Sequence, residues 1–279
     1  MNGFLRDRVR LTAGLLLGVS AACTAALLWG AGENAAQAFS LRQERGNTQT
    51  LAQGQQAESL TVLLPLAGYT VAVDPGHGGY DGGAVGRVSG TPEKGLNLDV
   101  ALRLARLLEA KGARVVMTRE ADRALCDEHP PIRKKLQDMQ RRAVIITEGE
   151  ADMVLSIHMN EYAGRGESGP QVFYREDCPA GRLLAGAIQA AMIEQLSPKM
   201  ERVALSGDYY ILTLGVPSAL VECGFLSNRE EEALLLTEEY RERVAQAICA
   251  GVVAWAALPC EKPEPLPAVD RSDEPNGLP

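Results

Sequence analysis

The chain is short of several things that would make its function easy to read. Its 279 residues contain only 3 histidines, and aromatic residues make up 5%. So few aromatics argue against a stacking surface for single-stranded nucleic acid. Basic residues are outnumbered, 28 to 36, giving a formal net charge of −8. Phosphate binding needs a basic field, so nucleic acid is excluded as a partner. No His-Glu-x-x-His helix is present, so that zinc-peptidase signature does not apply. None of the 6 cysteines forms a Cys-x-x-Cys pair, which removes zinc-ribbon and thioredoxin readings. They read as reduced, small, apolar side chains. Outside the cytoplasm Cys126, Cys178 and Cys260 could still cross-link, with no pairing fixed.

What is present suits a globular protein, with 46% hydrophobic and 23% charged residues. At the N-terminus, Arg6, Arg8 and Arg10 precede a charge-free run from Leu11 to Gly32. Ala36 and Ala38 then offer a small-residue cleavage site. The segment 1–38 therefore reads as a signal peptide, or as an uncleaved anchor long enough to span about 30 Å of bilayer. Either places the rest of the chain outside the cytoplasm. Cys23 follows "SAA", a poor lipobox. Residues 39–68 read as a polar linker and 259–279 as a disordered, proline-rich acidic tail. The folded domain is expected over 69–258.

Within that domain strands and helices alternate. Strands are expected at 70–73, 113–118, 151–159, 170–175, 208–213 and 218–225. Helices are expected at 96–112, 132–148, 179–196 and, as one or two pieces, 230–256. In the first helix Leu98, Ala101, Ala105 and Leu108 fall on one face, and Gly112 ends it. The pattern predicts one α/β domain: a twisted, mostly parallel sheet of about six strands with helices on both faces. Ligands of such sheets bind outside the carboxyl ends of the strands.

Three polar residues stand at such ends. His77 follows the apolar run "VAVD" in the loop "PGHGGYDGG"; His158 ends "VLSI"; Glu222 ends "SALV". A charge after a buried apolar strand is costly without a purpose. Glu93 opens the first helix, with Thr91 as its cap and Pro92 in its first turn. Two histidines and two glutamates can thus meet at one edge. A catalytic zinc takes three such ligands and leaves a fourth position for water. A carboxylate that does not bind the metal can serve as the base. Spacing alone does not say which glutamate does which.

Five ordered blocks, "VAVDPGHGGYDGGAVG", "EKGLNLDVALRLARLLEAKG", "VVMTREAD", "ADMVLSIHMN" and "SALVECGFLSNREEEALL", resemble the zinc-dependent N-acetylmuramoyl-L-alanine amidases of bacterial cell-wall turnover. The resemblance covers Thr70 to Trp255. It implies one Zn²⁺ per chain held by His77, Glu93 and His158, with Glu222 as the catalytic glutamate. It implies cleavage of the amide between the lactyl group of N-acetylmuramic acid and L-alanine of the stem peptide in peptidoglycan. The short core, the N-terminal segment and the blocks "SGPQVFYRE" and "DGGAVG" resemble the sporulation and germination branch. That branch acts on spore cortex, ahead of muramic-δ-lactam formation. The forespore intermembrane space or the cortex is then the expected location, with the membrane and an activator protein as partners. A stem-peptide zinc endopeptidase and a non-catalytic wall-binding protein are the alternatives.

Other residues receive narrower expectations. Asn160 is expected to orient a ligand or a substrate carbonyl. Asp74 is expected to brace a metal-binding histidine through its ring N–H. Arg119 and Asp122 are expected to pair or to brace the strand end. His129 reads as a surface loop residue. Arg133, Lys134, Lys135, Arg141 and Arg142 read as a solvated helix face. Cys223 should point away from Glu222 by strand alternation. The sequence departs from the family pattern at Met159 and Glu161, and at "ERVALSGD", where a basic stretch is usual. These departures leave the four motif positions untouched.

Overall fold

The computed structural model describes residues 64–258 other than 131 and 165. The N-terminal segment, Cys23, the acidic tail and Cys260 lie outside the described residues. Six strands form a single sheet: β1 (Thr70–Pro75), β2 (Arg114–Met117), β3 (Met153–Asn160), β4 (Gln171–Tyr174), β5 (Leu205–Ser206) and β6 (Ser218–Phe225). Their order is β2-β1-β3-β6-β4-β5, and only the β4–β6 pairing is antiparallel. Five helices accompany them: α1 (Glu93–Ala110), α2 (Lys134–Glu148), α3 (Pro179–Leu196), α4 (Arg229–Leu235) and α5 (Glu238–Ala256). The expected α/β class and mostly parallel sheet are both present. Among the described residues, no helix is long and apolar enough to cross a membrane.

Strand alternation splits the side chains between two faces. Val71, Val73, Leu155, Ile157, Val221 and Cys223 face the larger core, which α1, α3 and α5 complete. Ala72, Val154 and Leu220 face a smaller core with Ile146 of α2 and Ile211 and Leu212. On this second face the same alternation carries Asp74, Ser156, His158 and Glu222. Cys223 is fully buried on the opposite side, as expected.

Several expected boundaries move. Residues 208–213 do not form a strand; Tyr210–Thr213 is a 3-10 turn. The neighbours Ile211 and Leu212 are both buried in the smaller core. A strand would send adjacent side chains to opposite faces, so a helical turn is required. The sixth strand is the short edge piece β5. The final helical region is broken, and the Thr237 hydroxyl caps α5 by accepting from Tyr240 N (3.3 Å). Thr91 does not cap α1; the capping position is Pro92, and the first N–H groups are taken by the preceding loop. Glu93 N donates to Ala84 O (2.8 Å) and Lys94 N to Gly82 O (3.1 Å). Leu98 is half-buried, and Leu96, Val100 and Leu104 carry more of the apolar face. Leu66, assigned by composition to the linker, is fully buried and donates its N–H to Lys111 O (2.9 Å). Cys126, Cys178, Cys223 and Cys249 are free thiols.

Candidate metal centre

The loop after β1 delivers the first candidate ligand. His77 sits at φ +60°, a left-handed conformation that costs a residue with a Cβ and persists only when its surroundings hold it. Just before it, a Cβ added to Gly76 would lie 2.2 Å from the His158 ring. Only glycine lets the loop pass that close to the second histidine. The two rings meet edge to face, with centroids 5.0 Å apart.

Glu93 is 2% exposed and binds to both rings. Its Oε1 lies 3.0 Å from His158 Nδ1 and accepts from Asn97 Nδ2 (2.9 Å) and Met159 N (3.0 Å). Its Oε2 accepts from Ala84 N (2.7 Å) and lies 3.4 Å from His77 Nε2. Burial alone would raise the Glu93 carboxyl. The contacts to His158 and His77 outweigh that and hold it well below the usual carboxylate range. One ligand atom from each of His77, Glu93 and His158 falls within 4.8 Å of the other two. Four donors around zinc at 2.0–2.2 Å would be about 3.3 Å apart. The set of two imidazoles and an ionised carboxylate therefore fits that ion in chemistry and size.

Glu222 is the in-register neighbour of His158 across the parallel β3–β6 pair. Both side chains face the smaller core, and with His77 they line a cavity of about 410 Å³. Glu222 Oε2 is buried without a hydrogen-bond partner. Burial raises its carboxyl to about 7; His158 pulls the value down and Glu93 pushes it up. A buried carboxylate oxygen left unpaired is held open for a ligand or a proton.

Four of the supporting residues differ from expectation. Asp74 does not reach a histidine. It accepts from Thr118 Oγ1 (2.6 Å), Ser156 Oγ (2.8 Å) and Arg142 (2.6 Å). Burial favours its neutral form, but Arg142 and these hydrogen bonds keep the Asp74 carboxyl below its ordinary value. The carboxylate beside His77 is Asp81, with Oδ2 2.9 Å from Nδ1 but off the hydrogen-bond line. Asp81 lies four residues after His77 in the same glycine-rich loop, and that spacing is the signal the sequence carries.

Arg142 is not on a solvated face; it is 1% exposed. It bridges Asp74 and Asp138 and donates to Pro75 O (2.8 Å) and His77 O (2.6 Å). Arg119 does not pair with Asp122, whose partner is Lys94 (2.9 Å). Its guanidinium instead donates to Pro75 O (3.0 Å), Gly76 O (2.8 Å) and Lys94 O (2.9 Å). Burial, with Arg142 nearby, lowers Arg119 to about 10. Two guanidiniums thus fasten the backbone that carries His77. Asn160 lies past a bulge in β3 and does not line the cavity; its backbone oxygen accepts from Leu226 N (2.8 Å). His129 is exposed.

The fold and this site define an α/β protein with a cleft of two histidines and two glutamates at the carboxyl ends of the sheet's parallel strands. Residues 71–254 match the N-acetylmuramoyl-L-alanine amidase family, and the chain belongs to it. It is an amidase of that family. The germination-specific N-acetylmuramoyl-L-alanine amidase of Bacillus subtilis is 37% identical over 206 residues, which are 72% of this chain and 85% of the relative. The CwlD amidase of Clostridioides difficile, solved in complex with the GerS lipoprotein, superposes with a TM-score of 0.64 at 35% identity. That match covers 67% of this chain and 98% of the other. An N-acetylmuramoyl-L-alanine amidase from Clostridium difficile 630 gives 0.61 at 30% identity, covering 69% and 98%.

Proposed function

We propose that the enzyme uses one zinc ion to hydrolyse the amide between the lactyl group of N-acetylmuramic acid and L-alanine in spore-cortex peptidoglycan. The observation that carries this reading is the buried, unpartnered Glu222 Oε2 beside the His77–Glu93–His158 cluster. His77, Glu93 and His158 would hold the ion. When bound, zinc supplies a Lewis acid that polarises the amide carbonyl, makes water nucleophilic near neutral pH and keeps Glu222 ionised in its field. Glu222 then accepts the proton of the attacking water and passes it to the departing alanine nitrogen. Arg142, Arg119 and Asp81 keep His77 in place, and burial of Glu93 preserves its charge at the ligand position.

The cortex assignment draws on the germination-specific relative. Removal of the peptide leaves bare muramic acid, the form a deacetylase needs before δ-lactam closure. The lipoprotein partner of the clostridial enzyme supports an activator for this one. An N-terminal signal or anchor would place the chain outside the cytoplasm, in the forespore intermembrane space or cortex.

Mass spectrometry of cortex peptidoglycan digested by the zinc-loaded enzyme tests the reading. The expected products are stem peptides with free L-alanine amino termini and peptide-free muramic acid. Glu222→Gln should keep its zinc and lose about 10²–10⁴-fold in rate. Cuts within the stem peptides, or full activity in that variant, would contradict the reading.

A further inference from the structure

Three of the chain's seven tyrosines line the cavity that holds His77, His158 and Glu222. Tyr80 comes from the loop after β1, and Tyr209 and Tyr210 from the start of the 3-10 turn. They remain 52%, 36% and 43% exposed. Aromatic rings gain by burial. In a chain with 5% aromatics, such a cluster left open beside a reactive centre marks a surface meant to be covered.

The rings are held rather than loose. Tyr209 packs against Phe173 of β4, with centroids 5.3 Å apart. A Cβ added at Gly207 would lie 2.4 Å from Tyr209 Cε2 and 3.2 Å from Phe173 Cδ1. The Tyr209 ring therefore lies where only glycine at 207 leaves space. Lys134 Nζ stands 5.7 Å from the centre of the Tyr80 ring. Burial and the charge of Glu222 both raise the Tyr209 phenol, which puts that ring within electrostatic reach of the base.

A ligand for this arm needs flat apolar faces and polar edges. Phenol hydroxyls, Lys135 and Asp208 supply the polar partners around the rings. Nucleobases stack on such surfaces, but a chain of net charge −8 lacks the field to hold their phosphates. The leaving side of the substrate begins with alanine, whose methyl covers little of a ring. A pyranose fits: its C–H face covers a ring and its hydroxyls meet the rim.

We infer that the tyrosine-lined arm of the cavity is a saccharide subsite, seating the muramoyl glycan on Tyr209 with Tyr80 and Tyr210 beside it. This rests on the amidase reading above. It assigns the glycan, rather than the stem peptide, to the side of the cleft formed by the 3-10 turn.

The test is calorimetric binding of peptide-free glycan strands, alternating N-acetylglucosamine and N-acetylmuramic acid, to the zinc-loaded full chain carrying Glu222→Gln. In that background Tyr209→Ala should weaken glycan binding about tenfold, while Tyr209→Phe keeps it. Gly207→Ala should weaken it likewise with every tyrosine intact, an independent route should Tyr209→Ala fail to fold. Affinity for the free stem peptide should not move. Unchanged glycan affinity in both Tyr209→Ala and Gly207→Ala, or no glycan binding by the parent, would overturn the subsite. Loss of stem-peptide affinity instead would hand the arm to the peptide and overturn it as well. Each of these results leaves the identity of the cleaved bond to the digestion experiment, so the two readings fail separately.

Discussion

Glu93 gives up nearly all its hydration, and every contact that replaces it comes from a neighbour with a defined position. Two backbone N–H groups, an asparagine amide and two imidazoles surround its oxygens. That environment holds it ionised and aimed at both histidines. His77 has a different problem, because its φ of +60° must be maintained. Asp81 is the side chain closest to its outer nitrogen. Residues that orient a ligand from outside commonly contribute 10–100-fold to metal affinity. Asp81→Asn should therefore weaken zinc binding by about that factor in a chelator competition, with one zinc per chain at saturation. Unaltered affinity would show that Asp81 is a bystander. His77, Glu93, His158 and Glu222 are visible in the sequence because each is a polar residue that follows an apolar strand run or opens a helix. Asp81 was overlooked for Asp74, since "VAVD" places an acid just before the loop and periodicity does not show what it faces.

At the scale of elements, the second face of the sheet is where reading and structure part. Asp74 is buried in β1 and needs a cation, which α2 supplies as Arg142. Two signals for this were present: a carboxylate closing an apolar strand, and Asp138 four residues before Arg142 on one helix. The five basic residues between 133 and 142 hide them by suggesting a solvated face. The 3-10 turn differs from its expected strand for a related reason, since "YYILT" has strand composition but buries two adjacent residues.

The Asp74–Arg142 pair also sets an acid limit. Folding lowers the Asp74 pKa, so the pair's contribution is complete above the unfolded value of about 3.9 and drains as the pH falls through the lower native one. Arg142→Met removes the cation and leaves Asp74 buried and uncompensated. It should cost about 3–5 kcal/mol at neutral pH by urea denaturation. Its deficit relative to the native chain should narrow as the pH falls below about 4, because protonation removes the buried charge that Arg142 had compensated. A variant as stable as the native protein would show the pair to be dispensable.

For the whole molecule, parallel strands deliver residues far apart in sequence to one edge. Residue 77 comes from the loop after β1 and residue 222 from β6, and β3 between them supplies 158. Alternation then decides which core each faces, and all three emerge beside the smaller one. The order of elements and the sheet class followed from apolar periodicity. The tyrosine cluster did not, because it depends on how a turn after β5 folds back towards the loop after β1.

The central claim is that His77, Glu93 and His158 close around one zinc ion beside Glu222. Zinc-edge X-ray diffraction from crystals of the zinc-loaded protein tests it most directly. One anomalous peak per chain is predicted, within bonding distance of those three side chains and absent from His77→Ala, Glu93→Gln and His158→Ala. A peak elsewhere, or one that persists in all three variants, would contradict the account.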